Sequence, residues 1–190
     1  GADPYPASLA AAGLADLALY EGRLEEAEKV LQAAIPADAA NGLNAFGIQK
    51  KLVLAEVLAS MGRSAEASKA VGEALAGTTN EAVLYSGAVL LLGQRLTERA
   101  RGLAATLGAV PMPEPQAYAR LVEGEISLAA GDLARAIKSF HEAQSHLDTW
   151  LGHVALGRAY LAAGQFTEAY SEFETCLKRR GEAASVFLDD

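Results

Sequence analysis

The chain predicts an all-α fold built from stacked helix pairs, and three observations carry that prediction. Residues 117–176 hold one pattern twice. Gly124, Gly131-Asp132, Ala136, Phe140 and Ala143 recur 33 positions later as Gly157, Gly164-Gln165, Ala169, Phe173 and Cys176. A fixed period of roughly 20–50 residues is the mark of a stacked repeat. Within each copy an apolar helical stripe stops at glycine and a second starts two residues on, which describes two antiparallel helices joined by a tight turn. The composition agrees: 51% of the chain is hydrophobic but only 6% aromatic. Alanine and leucine dominate, both strong helix formers, and no run of β-branched or aromatic residues marks a strand.

Taken in order, Pro4 and Pro6 sit before or in the first turn of a helix over 8–20, with Leu9, Leu14, Leu17 and Ala18 as apolar positions. Proline is at home there because a first-turn N–H has no intrahelical partner. Glu21-Gly22-Arg23 breaks this helix. Leu24, Ala27, Leu31 and Ala34 give the next its face over 24–35, and Pro36 is expected to stop it. Residues 38–42 read as a loop or a helix start. A longer helix follows over 46–61, broken at Gly62-Arg63, with Ser64 as the N-cap candidate of a helix over 65–75.

Thr78-Thr79-Asn80-Glu81 carries the Ser/Thr-x-x-Glu spacing of a capping box before a helix over 82–92. The sixth helix, 94–107, is the least regular. Residues 108–115 contain Pro111, Pro113 and Pro115 and are expected to form a loop, short enough to keep one domain. The pairs 114–130 with 133–146 and 150–163 with 166–179 close the series, with Asp132 as an N-cap candidate. Lys178, Arg179 and Arg180 complement the dipole of the last helix, and Gly181 can terminate it. The units run roughly 8–36, 42–77, 79–108, 114–147 and 149–181. Residues 183–190, with Val186, Phe187 and Leu188, are a cap or the start of a sixth unit.

The turn glycines are taken as Gly22, Gly62, Gly93, Gly131 and Gly164. All but Gly93 are followed five residues later by alanine (Ala27, Ala67, Ala136, Ala169), a small residue that lets the second helix approach the first. Gly93 is followed by Glu98, so the third pair departs from the pattern.

Charge and composition narrow the function classes. A net charge of −8 opposes general nucleic-acid binding, which needs Lys and Arg to neutralise phosphates, and opposes an anionic membrane surface. An apolar run such as residues 88–93 is far below the roughly 20 residues that span a bilayer, so no membrane insertion is expected. Cys176 is the single cysteine, which rules out an internal disulfide and paired-cysteine zinc ligation. His141, His146 and His153 do not share a helix face and form no His-Glu-x-x-His, so they read as surface or packing residues. Trp150, opening a first helix, reads as packing between units. No catalytic residue, metal site or cofactor is expected, and the chain is read as a non-enzyme. It starts Gly1-Ala2-Asp3 without methionine and is expected to be a piece of a longer protein; the compartment stays open.

The pattern resembles the tetratricopeptide repeat. The match is fullest over 150–176, where Leu156-Gly157, Tyr160, Gly164, Ala169, Phe173 and Cys176 stand at the family's positions. Residues 117–143 match at Gly124, Gly131, Ala136, Phe140 and Ala143, but carry Glu123 and Ser127 where Leu and an aromatic are usual. Residues 8–34 match at Leu14, Ala15, Gly22, Ala27 and Ala34, and 48–74 at Leu54, Ala55, Gly62, Ala67 and Ala74. The last two units also resemble repeat regions attached to larger bacterial regulatory proteins.

The resemblance implies a right-handed superhelix of about five helix pairs, and a concave groove lined by the first helix of each pair. The groove positions it implies are Leu9, Ala12 and Asp16; Gln49, Leu52 and Glu56; Tyr118, Leu121 and Glu125; and Leu151, Val154 and Arg158. Only Arg158 is basic, so a clamp for a peptide carboxylate is not expected. Either the groove takes a neutral or basic, partly apolar segment of a protein partner, or its acids pair with cations of neighbouring helices. A protein-interaction scaffold is therefore expected. The alternative is a self-associating or intramolecular regulatory segment of a larger protein, with a homodimer through the C-terminal end.

Overall fold

The structure is a computed structural model and describes residues 3–181. Residues 186–188, expected in a cap or a further helix, lie outside the described residues. Among those described there are ten α-helices and no strand: α1 (Tyr5–Tyr20), α2 (Leu24–Ala40), α3 (Asn44–Ser60), α4 (Ser64–Leu75), α5 (Glu81–Gly93), α6 (Thr97–Gly108), α7 (Pro113–Ala129), α8 (Leu133–His146), α9 (Trp150–Ala162) and α10 (Phe166–Lys178). The fold is an all-α helical repeat. The chain divides into two compact units, Gly1–Gln94 and Arg95–Asp190. Residues 108–115 therefore lie inside the second unit.

In the first unit α2 packs on α1 and α3, α3 on α4, and α5 on both α3 and α4. One core cluster joins Ala15 and Ala18 of α1, Ala27 and Leu31 of α2, and Val53 and Val57 of α3. A second joins Leu52, Ala74 and Val83. In the second unit α6 to α10 each pack on the next, and α7 also meets α9. Both units thus bring alternate helices together, as stacking of pairs requires.

The turns explain the glycines. Gly22, Gly62, Gly131 and Gly164 all have φ between +72° and +79°, the left-handed region where a Cβ is disfavoured. At each, the glycine N–H reaches back three residues and the next N–H reaches back five, as in Arg23 N to the Ala18 carbonyl at 2.8 Å. This double bond satisfies the last carbonyls of the helix.

The turn between α5 and α6 corrects the register read from the sequence. Its left-handed residue is Arg95, with φ +61°, and not Gly93, which is the last residue of α5. Five residues after Arg95 stands Ala100, fully buried like Ala27, Ala67 and Ala136. The third pair has therefore kept the small residue. Only the turn glycine has been replaced.

Other expectations are corrected as well. Pro36 does not stop α2, which runs on to Ala40. Proline cannot donate to the carbonyl one turn back, yet the following turn is held because Asp38 is ion-paired to Lys50 of α3 at 2.7 Å. Ser64 is not a cap; Arg63 holds that position, and its side chain makes no capping bond. The capping box is displaced: the Asn80 side chain caps α5 by accepting from Val83 N at 2.9 Å, and Glu81 is the first helical residue. The proline loop is shorter than expected, since α7 starts at Pro113 and includes Pro115, whose missing N–H falls among the unpaired first-turn groups. Asp132 does cap α8, accepting from Arg135 N at 3.1 Å.

Candidate functional site

The expected groove residues separate by burial. Leu52 and Leu121 are core residues, 7% and 1% exposed, and cannot meet a ligand. Leu9, Ala12, Asp16, Gln49, Glu56, Tyr118, Glu125, Leu151 and Val154 are half-buried, and Arg158 is exposed.

The acids also separate, by their partners. Asp16 of α1 and Glu56 of α3 lie close enough to repel. Burial pushes both carboxyls above their ordinary range, and the Asp16 charge pushes Glu56 further. Neither has a hydrogen-bond or ion-pair partner among the described residues. Glu125 of α7 is also raised by burial, but Arg158 of α9 opposes this and bonds it at 2.9 Å. The second unit thus follows the self-paired alternative, whereas the first keeps its two acids open. In the register set by Arg95, the position after Asp16 and Glu56 is Val89 of α5, which is exposed. An apolar side chain therefore follows the two carboxylates in that column.

Sequence reasoning missed two polar clusters. Lys50 is buried among Asp38, Ser8 and the Phe46 ring: its Nζ lies 2.7 Å from Asp38 Oδ2, 2.8 Å from Ser8 Oγ and 5.8 Å from the ring centroid. A signal was present. Gly47, Lys50, Val53 and Val57 lie on one helical face, so a lysine sits in a buried stripe. The second cluster joins α9 to α10. His153 Nδ1 lies 2.6 Å from Glu172, and its Nε2 lies 2.9 Å from Asp148, which Arg179 also binds at 2.7 Å. The bond from Arg179 holds the Asp148 carboxyl below its usual range, against the opposing effect of burial. Trp150 donates from Nε1 to the Cys176 carbonyl at 3.1 Å, and His141 meets the Tyr160 hydroxyl at 2.7 Å. Apart from His153 with Asp148, five residues apart, these partners are 19–31 residues apart in sequence, so no local pattern announces them. Cys176 is a buried thiol, and burial is the main cause that raises its pKa. No group of three or more metal-ligating side chains comes together among the described residues. No described helix is long and apolar enough to cross a membrane.

Within the last pair, Phe173 packs on Gly157, and Gly164 makes the left-handed turn. Residues 152–182 match the profile of the tetratricopeptide repeat. That stretch, α9 with α10, is matched as one tetratricopeptide repeat. Two solved structures of MamA share the fold of this repeat chain. One is 17% identical with a TM-score of 0.51 and covers 94% of each chain. The other is 17% identical with a TM-score of 0.50 and covers 90% of this chain and 97% of its own. No curated protein matches the chain. At that identity the likeness carries the repeat architecture alone; tetratricopeptide repeats as a class are protein-interaction scaffolds.

Proposed function

We propose that the chain is a protein-interaction scaffold whose first unit receives a basic, partly apolar segment of a partner on the α1–α3–α5 side. The observation that carries this is the Asp16–Glu56 pair, two half-buried carboxylates with no cation beside them among the described residues. Their charges are costly where they stand, so a lysine or arginine supplied from outside relieves both burial and mutual repulsion. Val89 offers apolar surface at the next position, and Gln49 a side-chain amide for a peptide backbone. The Glu125–Arg158 pair is already neutralised and serves as an internal contrast.

Fluorescence anisotropy with a labelled peptide of alternating Lys and Leu tests the reading. Binding should weaken about tenfold or more in the Asp16→Asn/Glu56→Gln variant, as loss of a charged contact predicts, and should fall with added salt. Arg158→Gln should leave it unchanged. Tight binding of a peptide with an acidic tail, or equal binding by the variant, would sink the proposal.

A further inference from the structure

Arginine and lysine treat carboxylates differently within this chain. Among the described residues, Arg63 closes on two at once. Its Nη1 lies 2.8 and 2.7 Å from the two carboxylate oxygens of Glu28 on α2, and its Nε and Nη2 each lie 2.7 Å from an oxygen of Glu66 on α4. Arg120 likewise holds Glu123 on its own helix and Glu142 on α8, and Arg23 holds Glu21 and Glu26. The paired lysines, Lys50, Lys69, Lys138 and Lys178, hold one carboxylate each. The reason is geometric. A guanidinium offers five N–H donors along separate edges of a plane, so two carboxylates can bind it and stay apart. An ammonium offers a single nitrogen, and two carboxylates that share it are drawn together against their own repulsion.

Asp16 and Glu56 pose the same problem without its solution. They stand forty positions apart on α1 and α3, first helices of consecutive pairs that meet in the first unit. Both are half-buried, the charge of Asp16 reaches Glu56, and no described cation lies beside either. We propose that the partner's cation at this pair is an arginine, and that one guanidinium bridges Asp16 to Glu56 as Arg63 bridges Glu28 to Glu66. This rests on the pair receiving a basic segment at all, and it adds the choice between the two cations. Two features of the pair carry that choice. The carboxylates come from different helices, and the short Asp16 side chain cannot swing far from α1, so a cation serving both has to span the gap. The chain also places arginine at this column itself: Arg158 of α9 serves Glu125 of α7 at 2.9 Å in the second unit.

Anisotropy titrations with two labelled peptides, identical except for Arg or Lys at the basic positions, test this. The Arg peptide should bind about tenfold tighter. In Glu56→Gln, and separately in Asp16→Asn, one carboxylate remains, and the advantage of Arg should shrink to about twofold or less. Circular dichroism verifies that the variants keep their helices. Equal binding of the two peptides, both still weakened by Asp16→Asn/Glu56→Gln, overturns the arginine bridge and leaves the basic-segment reading standing. An Arg advantage that persists undiminished in both single variants overturns the bridge as well. If the double variant binds both peptides as tightly as the parent chain, or the parent binds neither, the bridge and the basic-segment reading fall together.

Discussion

The Phe140 ring of α8 fills the space that a side chain on Gly124 of α7 would need. The same lock recurs 33 residues later, where a Cβ on Gly157 would stand 2.5 Å from the Phe173 ring. In the first unit the corresponding residues are Ala15 with Leu31 and Ala55 with Val71, all buried. Size is exchanged across the pair: glycine on the first helix goes with phenylalanine on the second, alanine with a smaller aliphatic. Gly124→Ala should therefore destabilise the second unit by about 1–2 kcal/mol, because overpacking costs about 1–3 and helix propensity returns up to about 1. Phe140→Leu should suppress much of that loss, leaving a coupling of about 1 kcal/mol in a double-mutant cycle measured by urea unfolding.

Lys50 and Asp38 form an ion pair that is only 4% and 3% exposed. Breaking it by Lys50→Met should cost about 3–5 kcal/mol, since the carboxylate is left buried without a partner. Replacing both, as Lys50→Met with Asp38→Leu, should restore most of the stability. Thermal unfolding of the three variants checks the order. A milder loss in Lys50→Met than in the double variant would contradict it.

Arg95 takes the left-handed conformation that glycine takes at the other four turns. A side chain there costs about 1–2 kcal/mol, and glycine returns part of this through its freer unfolded chain. Arg95→Gly should raise stability by about 0.5–1 kcal/mol, visible as a higher urea midpoint at unchanged slope.

Asp16 and Glu56 give the pH dependence a sign. Their folded pKa values lie above the unfolded ones, so protonation favours the fold. Their contribution is fully present below the ordinary carboxylate range and is lost as pH rises through the raised values. Asp16→Asn/Glu56→Gln should then be more stable than the parent at about pH 7, with the gap closing towards about pH 4. Melting temperatures of both proteins across that range read the difference directly. A gap that widens on acidification would contradict the assignment.

Much of the molecule was legible in the chain because it is periodic and local. The 33-residue recurrence, the glycine turns and the apolar stripes place nine of the ten described helices to within three residues at each end, and they point to the tetratricopeptide repeat that residues 152–182 match. Helix periodicity depends on neighbours three and four apart, so one stretch of sequence contains it. What escaped was decided by partners distant in the chain. Pro36 reads as a stop until Lys50 holds the turn beyond it. Arg95 reads as an ordinary basic residue until the backbone gives it a positive φ and restores Ala100 to the common register. Asp16, Glu56 and Glu125 look alike in sequence, one acid per first helix. Only packing separates them, by setting Arg158 beside Glu125 and leaving the other two facing each other. Sequence determined the repeating helices; tertiary structure decided which charges are satisfied, because that depends on distances between helices that no local pattern encodes.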